Sequence, residues 1–408
     1  MNERLSRRSF LSGSAAVLAT VSMAPIVTSC QTGPVAPSFP GIDEFGTKFG
    51  GVQIGAITYS WRNMPAGLEN IVKYCKETGI NSIELMSNDL ETFLGAPENP
   101  MSRLRATPTG AGQQQGEESR QGAGQRQGDA QQQGAGQRQG AGQRQGDGQQ
   151  QAAGQRQGSG QRQGTGQQQG SGPAGAGASQ GRREMNPEAQ AALTQYNEDL
   201  KAFRVGMTPE KVAPARKLFD DAGIEVHIVK FSPARWSDEE LDYAFITAKA
   251  MGAKAVCEEI GEAAVKKMAP FAEKHGMYAV FHNHAQFGTE GFSADPFLAV
   301  SPAVMLNFDA GHYFGSTGLN PCDFIRKYHD RILSIHIKDK TGPQTQPMPD
   351  ENQVWGQGET PLAELFLLIK KEGWPIYLDI ELEYSIKSWS NQVKEVKTCV
   401  QYARNILI

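Results

Sequence analysis

The sequence predicts a (β/α)8 barrel. Strand-like and helix-like segments alternate from residue 51 to the C-terminus, with one polar interruption. Eight strands can be counted in roughly 270 residues of ordinary composition, the size of a single barrel of this kind. The last four strands end in His, Asp, His and Glu in turn. A barrel gives that pattern a purpose, because its active site lies at the C-terminal ends of the strands.

The elements follow in order. Residues 51–59 (GVQIGAITY) are apolar and strand-like. Residues 68–78 place Leu68, Ile71, Val72 and Cys75 at helical spacing and stop at Gly79. Residues 81–86 form a second strand carrying Glu84. Strand, helix, strand at this spacing is a βαβ unit, which implies parallel strands. An open doubly wound sheet would place a glycine-rich phosphate loop after its first strand. Here that strand runs into Tyr59-Ser60-Trp61-Arg62.

From 104 to 184 the pattern breaks. Gln-Arg-Gln-Gly recurs at 125, 137, 143, 155 and 161, among Gly, Gln, Arg and Ala. A tract with nothing to bury and much backbone entropy to lose is expected to be a disordered insertion.

Helical patterns resume at 188–203 and 208–222, the second opened by Thr208-Pro209-Glu210 and closed by Gly223. Strands are expected at 225–231, 254–260, 277–282, 304–308, 332–335 and 376–380. Helices at 238–251, 263–275, 296–300, 321–329, 362–372 and 386–405 fall between and after them. The expected organisation is therefore a signal at 1–30, a tether at 31–48, a barrel from 49–103 and 185–408, and the insertion at 104–184.

The chain has 408 residues, 38% hydrophobic, with net charge −4. The charges are interspersed, which argues against a nucleic-acid partner. Its five cysteines, Cys30, Cys75, Cys257, Cys322 and Cys399, form no CxxC pair, so the last four are read as small apolar residues.

The N-terminus reads as an address. Ser6-Arg7-Arg8-Ser9-Phe10-Leu11 resembles a twin-arginine export motif, and a modest apolar stretch follows it. Val27-Thr28-Ser29-Cys30 resembles a lipobox. Together they imply export by the twin-arginine route and a lipid anchor to the membrane at Cys30, facing the periplasm.

The barrel rule gathers scattered residues onto one rim: Glu258 or Glu259, His282, His284, Asp309, His312, His336, Lys338, Asp339, Glu381 and Glu383. Four of the seven histidines lie there. Taking one ligand per strand gives His282, Asp309, His336 and Glu381 as a divalent-metal site. Imidazole with carboxylate suits Mn, Zn, Fe or Co.

These motifs resemble the sugar phosphate isomerase/epimerase family of xylose isomerase-like barrels. They are Phe308-Asp309-Ala310-Gly311-His312, Ser334-Ile335-His336-Ile337-Lys338-Asp339, Trp355-Gly356-Gln357-Gly358-Glu359 and Leu378-Asp379-Ile380-Glu381. The resemblance covers residues 50–100 and 205–408. It implies Glu, Asp, His and Glu as metal ligands, of which Asp309, His336 and Glu381 match and His282 departs. It also implies that the Trp355 loop approaches the substrate. In the family two metal-bound glutamates exchange protons on opposite faces of an enediolate. With His282 in place of one, the base is expected from Glu259, Lys338 or His284, with Glu381 moving the other proton. His284, His312 and Trp355 are the expected substrate contacts.

The expected function is a metal-dependent isomerase or epimerase of a small sugar or sugar derivative. A lyase cleaving keto-glycosides by β-elimination is the alternative enzyme, and a non-catalytic sugar-binding lipoprotein the alternative class. A repair endonuclease of the same superfamily would need a basic DNA-facing surface, and export would remove it from DNA.

Overall fold

A computed structural model describes residues 46–101 and 186–408. The signal, the insertion and all but the last three residues of the tether lie outside the described residues.

Eight parallel strands close into a barrel: β1 (Val52–Ile57), β2 (Ser82–Met86), β3 (Glu225–Lys230), β4 (Ala255–Glu259), β5 (Tyr278–His282), β6 (Val304–Asp309), β7 (Ile332–Ile337) and β8 (Tyr377–Ile380). Each pairs with its neighbours in sequence, and β1 closes the ring by pairing with both β2 and β8. Helices intervene, with the last one starting at Gln392 and not at 386, and with short helices Ser87–Phe93 and Ala310–Thr317 added after β2 and β6. Pro187–Val205 and Pro209–Asp221 bridge β2 to β3, and Gln392–Leu407 packs against Leu68–Thr78 to cover the closure. The start of the fold is corrected as well. Lys48–Phe49 forms an antiparallel pair with Val52 and Gln53, so the fold begins inside the expected tether. The reason is a tight Gly50-Gly51 turn, where both residues take positive φ (55° and 87°) that glycine adopts without strain.

Most apolar burial lies between strands and helices, where Phe219, Phe245, Phe281, Phe308 and Phe366 are fully buried. Each such side chain contributes roughly 1.5–3 kcal/mol. Strand alternation sends the other face inward. Along β5, Tyr278, Val280 and His282 share the inner face. Ile228, Ala255, Cys257, Met305 and Leu333 join Tyr278 and Val280 in a small apolar plug inside the barrel. Above that plug the interior is polar. No helix among the described residues is long and apolar enough to cross a membrane.

Candidate metal centre

His282, Asp309, His336 and Glu381 converge at the C-terminal end of the barrel, their ligand atoms all within 4.8 Å of one another. All four are buried. His282 Nε2 lies 3.4 Å from Asp309 Oδ2, and His336 Nδ1 lies 4.0 Å from the same oxygen and 2.8 Å from Glu381 Oε2.

Hydrogen bonds behind the cluster fix which atoms face it. Glu84 Oε2 is 2.8 Å from His336 Nε2. A carboxylate only accepts, so Nε2 donates to Glu84, while Nδ1 faces inward toward Glu381. Burial would lower the pKa of this imidazole, but the two carboxylates outweigh burial and raise it, and a metal bound at Nδ1 would take the place of the proton there. In the same way Glu259 Oε2, 3.0 Å from His282 Nδ1, holds the ring so that Nε2 faces Asp309. This carboxylate–imidazole arrangement orients histidines that bind metal. Asp309 ends β6 and caps the helix Ala310–Thr317, its Oδ1 accepting the His312 amide at 2.8 Å. Asn283, the middle residue of His-Asn-His, clasps the Asp309 backbone from both sides: its Oδ1 accepts the Asp309 amide at 2.9 Å and its Nδ2 donates to the Asp309 carbonyl at 3.2 Å.

The donor set fits a divalent ion. Bonds of about 2.0–2.2 Å to N and O ligands place those ligands about 3–4 Å apart. His336 Nδ1 and Glu381 Oε2 are buried 2.8 Å apart, and Lys338 Nζ lies 2.9 Å from the same Glu381 oxygen, so the cluster's negative charge is met by the chain's own cations.

Lys338 stands at the edge of the cluster. Its Nζ is 2.9 Å from Asp309 Oδ2, 2.9 Å from Glu381 Oε2, 2.7 Å from Glu383 Oε2 and 3.0 Å from His312 Nε2. Burial alone would drive off its proton, but the three carboxylates outweigh burial and hold it charged. Burial pulls His312 down to about 2 against the pull of Asp309, with Lys338 and Lys340 adding to the fall. Burial and then His282 lower His284 as well. His284 is half-exposed at the rim, its ring 5.0 Å from that of His312. Both imidazoles are thus neutral near pH 7. Burial opposes ionisation of Glu259, but His282 and Lys230 overcome it and hold the carboxylate well below its usual range. Its Oε1 accepts from Lys230 Nζ at 2.8 Å.

Several rim residues have other work. Glu258 accepts the amides of Ala234 (2.6 Å) and Glu259 (2.8 Å) and so clamps loops. Asp339 accepts the amides of Gly356, Gly358 and Thr360 at 2.8, 3.0 and 3.2 Å, tying down the Trp-Gly loop. Trp355, an expected substrate contact, is buried with its ring against Phe366 and Tyr402. Three contributors escape sequence reasoning: Glu84, Lys230 and Asn283. Glu84 alone carried a signal, as a carboxylate on an otherwise apolar strand.

A closed parallel barrel with an imidazole–carboxylate cluster at its strand ends is the class of fold, and the family within it is shown by sequence. The chain belongs to the xylose isomerase-like TIM barrel family, whose sequence model matches residues 191–403. It is 27% identical over 148 residues to inosose dehydratase of Clostridium botulinum, covering 30% of this chain and 49% of that protein. The chain thus spans about half the length of that curated relative. Among solved structures it is similar to a sugar phosphate isomerase/epimerase from Parabacteroides distasonis (13% identity, 91% of this chain and 100% of that one, TM-score 0.46). It is also similar to a probable 3-DHS dehydratase from Bacillus anthracis (11% identity, 85% and 98%, TM-score 0.45).

Proposed function

We propose that the chain is a divalent-metal-dependent enzyme that enolises a sugar or sugar derivative, with isomerisation or epimerisation as the outcome. The four buried side chains from four successive strands, their ligand atoms within 4.8 Å of one another, carry this reading. His282, Asp309, His336 and Glu381 would hold the ion, which when bound supplies Lewis acidity toward a substrate carbonyl and its neighbouring hydroxyl.

The chain's own groups divide the remaining work. Lys338 offers a fixed positive charge where an enediolate oxygen gains negative charge. His284 is neutral, partly open and beside the cluster, so it suits removal of the proton from carbon. Glu259 is ionised but committed to Lys230 and His282, which suits orienting His282 rather than acting as base. His284, protonated by that step, returns the proton to the adjacent carbon. On the side of Glu381 and His312 the proton available is that of Lys338, which touches both. The twin-arginine-like and lipobox motifs support an exported, lipid-anchored enzyme, for which an unphosphorylated sugar is the fitting substrate.

A second reading is elimination, with loss of water or an aglycone from the enediolate. Two observations favour it: the match to a dehydratase, and His282 standing where a second proton-moving carboxylate would be.

Turnover of free sugars and keto-glycosides in deuterated water, with Mn supplied, tests both. Deuterium at the carbon beside the carbonyl in an otherwise intact product supports isomerisation or epimerisation. An unsaturated product with release of water or aglycone supports elimination. Purified protein with no stoichiometric metal, and stability unchanged by chelation, would sink the metal-dependent reading altogether.

A further inference from the structure

Glu383 has two faces. Its Oε2 accepts from Lys338 Nζ at 2.7 Å and lies 3.5 Å from His312 Nε2, so it belongs to the rim of the metal centre. The same side chain lines a cavity of about 410 Å³ that runs outward over the segment following β8. That volume lies within the range that holds small ligands. The wall is hydrogen-bonding: Arg62, Asn63, Ser385, Ser388 and Gln392 contribute to it.

The wall is also held in place. Arg62 Nη1 donates to the carbonyls of Leu382 (2.5 Å) and Tyr59 (3.2 Å), and its guanidinium lies 4.4 Å over the Tyr59 ring. Tyr384 and Ser390 both donate to Glu395, fastening the segment to the C-terminal helix. On this fastened segment sits Trp389, between two residues that line the cavity. It is 77% exposed, more than any other large apolar side chain among the described residues. Trp389 does not line the cavity itself, but its exposed indole is carried by the segment that does, and an apolar ring next to hydrogen-bonding groups suits the two sides of a pyranose. The apolar C–H face packs on the ring, and the hydroxyls meet polar groups.

We propose that this cavity is a second sugar subsite. The substrate is then a glycoside or oligosaccharide. Its reacting ring lies at the metal centre, and its next ring lies between Arg62 and Trp389. The proposal rests on the sugar-enolising reading above for the position of the reacting ring.

Two measurements on the metal-loaded full chain separate the claims. Calorimetric titration compares glucose with cellobiose, maltose and sucrose, for the native chain and Trp389→Ala. Deuterium uptake is followed on the same sugars and their keto forms. At least one disaccharide should bind about tenfold more tightly than glucose, and Trp389→Ala should bring that preference close to one. Equal binding of mono- and disaccharides, a preference that survives in Trp389→Ala, or no binding by any of them overturns the subsite. Trp389-dependent disaccharide binding without deuterium uptake leaves the subsite standing and removes the enolising reading instead.

Discussion

Two buried histidines, His227 and His336, sit inside the same barrel among carboxylates, and their hydrogen bonds set them apart. His227, on β3, has both ring nitrogens engaged at 2.9 Å, Nδ1 with Ser82 Oγ and Nε2 with Asp379 Oδ2. Its ring stacks on Tyr377, 4.1 Å away and nearly parallel. The group is packed shut: a Cβ on Gly55 would fall 2.2 Å from Asp379 Oδ1. His336, at the upper end, has Nε2 engaged by Glu84 and Nδ1 turned on Glu381 and Asp309. A buried imidazole with both nitrogens engaged is a structural cross-link. One whose second nitrogen faces a cluster of carboxylates from neighbouring strands has the surroundings of a metal ligand.

Removing each histidine should break the comparison in opposite ways. His336→Ala should abolish stoichiometric metal, read by elemental analysis of dialysed protein, and with it all turnover. If the variant keeps a full complement of metal, the ligand assignment fails. His227→Ala should leave metal content per folded chain intact but cost about 3 kcal/mol in chemical denaturation, since it strands Ser82 and Asp379 in the interior. Loss of metal from that variant would show that the two layers act as one.

The effect of the orienting carboxylate is smaller. Glu84→Gln should weaken metal affinity about 10- to 100-fold in a competitive chelator titration, with little change in fold stability. An affinity within twofold of the native chain would separate Glu84 from the site. At the outer layer, Glu240 pairs with Arg204 at 3.1 Å and joins Ser237 in a capping box. Burial opposes its ionisation, but the Ser237 amide and Arg204 outweigh burial and lower its pKa. A lowered folded pKa makes its contribution present above the unfolded value of about 4.3 and lost as pH falls through the folded one. Glu240→Gln keeps the cap and removes the charge. It should therefore cost about 1 kcal/mol or less at pH 7, with a gap that closes in acid on denaturant melts. A gap that is constant with pH would assign the effect to packing.

The sequence revealed the barrel because alternating strand and helix periods are local, and it revealed the four clustered residues because strand-end position is local too. What it hid depends on distance across the ring. Glu84 and His336 are 252 residues apart in the chain, and nothing in either segment says that β2 and β7 face each other at that depth. Parity along a strand told which side His282 takes, not that Glu259 would bind its far nitrogen. The hold of Asp339 on the amides of Gly356, Gly358 and Thr360 was hidden for the same reason, since the carboxylate and its partners lie in separate segments.

Asp309 has a consequence for ion choice. One of its oxygens begins a helix, its backbone is clasped by Asn283, and its other oxygen faces the cluster. The carboxylate cannot swing without uncapping that helix. Calcium asks for oxygens at about 2.3–2.6 Å and for more of them, whereas Zn or Mn accepts the tighter set. A helix cap thereby becomes a sieve for ionic radius. A larger cation at this position would meet a ligand that will not step back for it, and any ion would have to share Asp309 and Glu381 with the Lys338 ammonium.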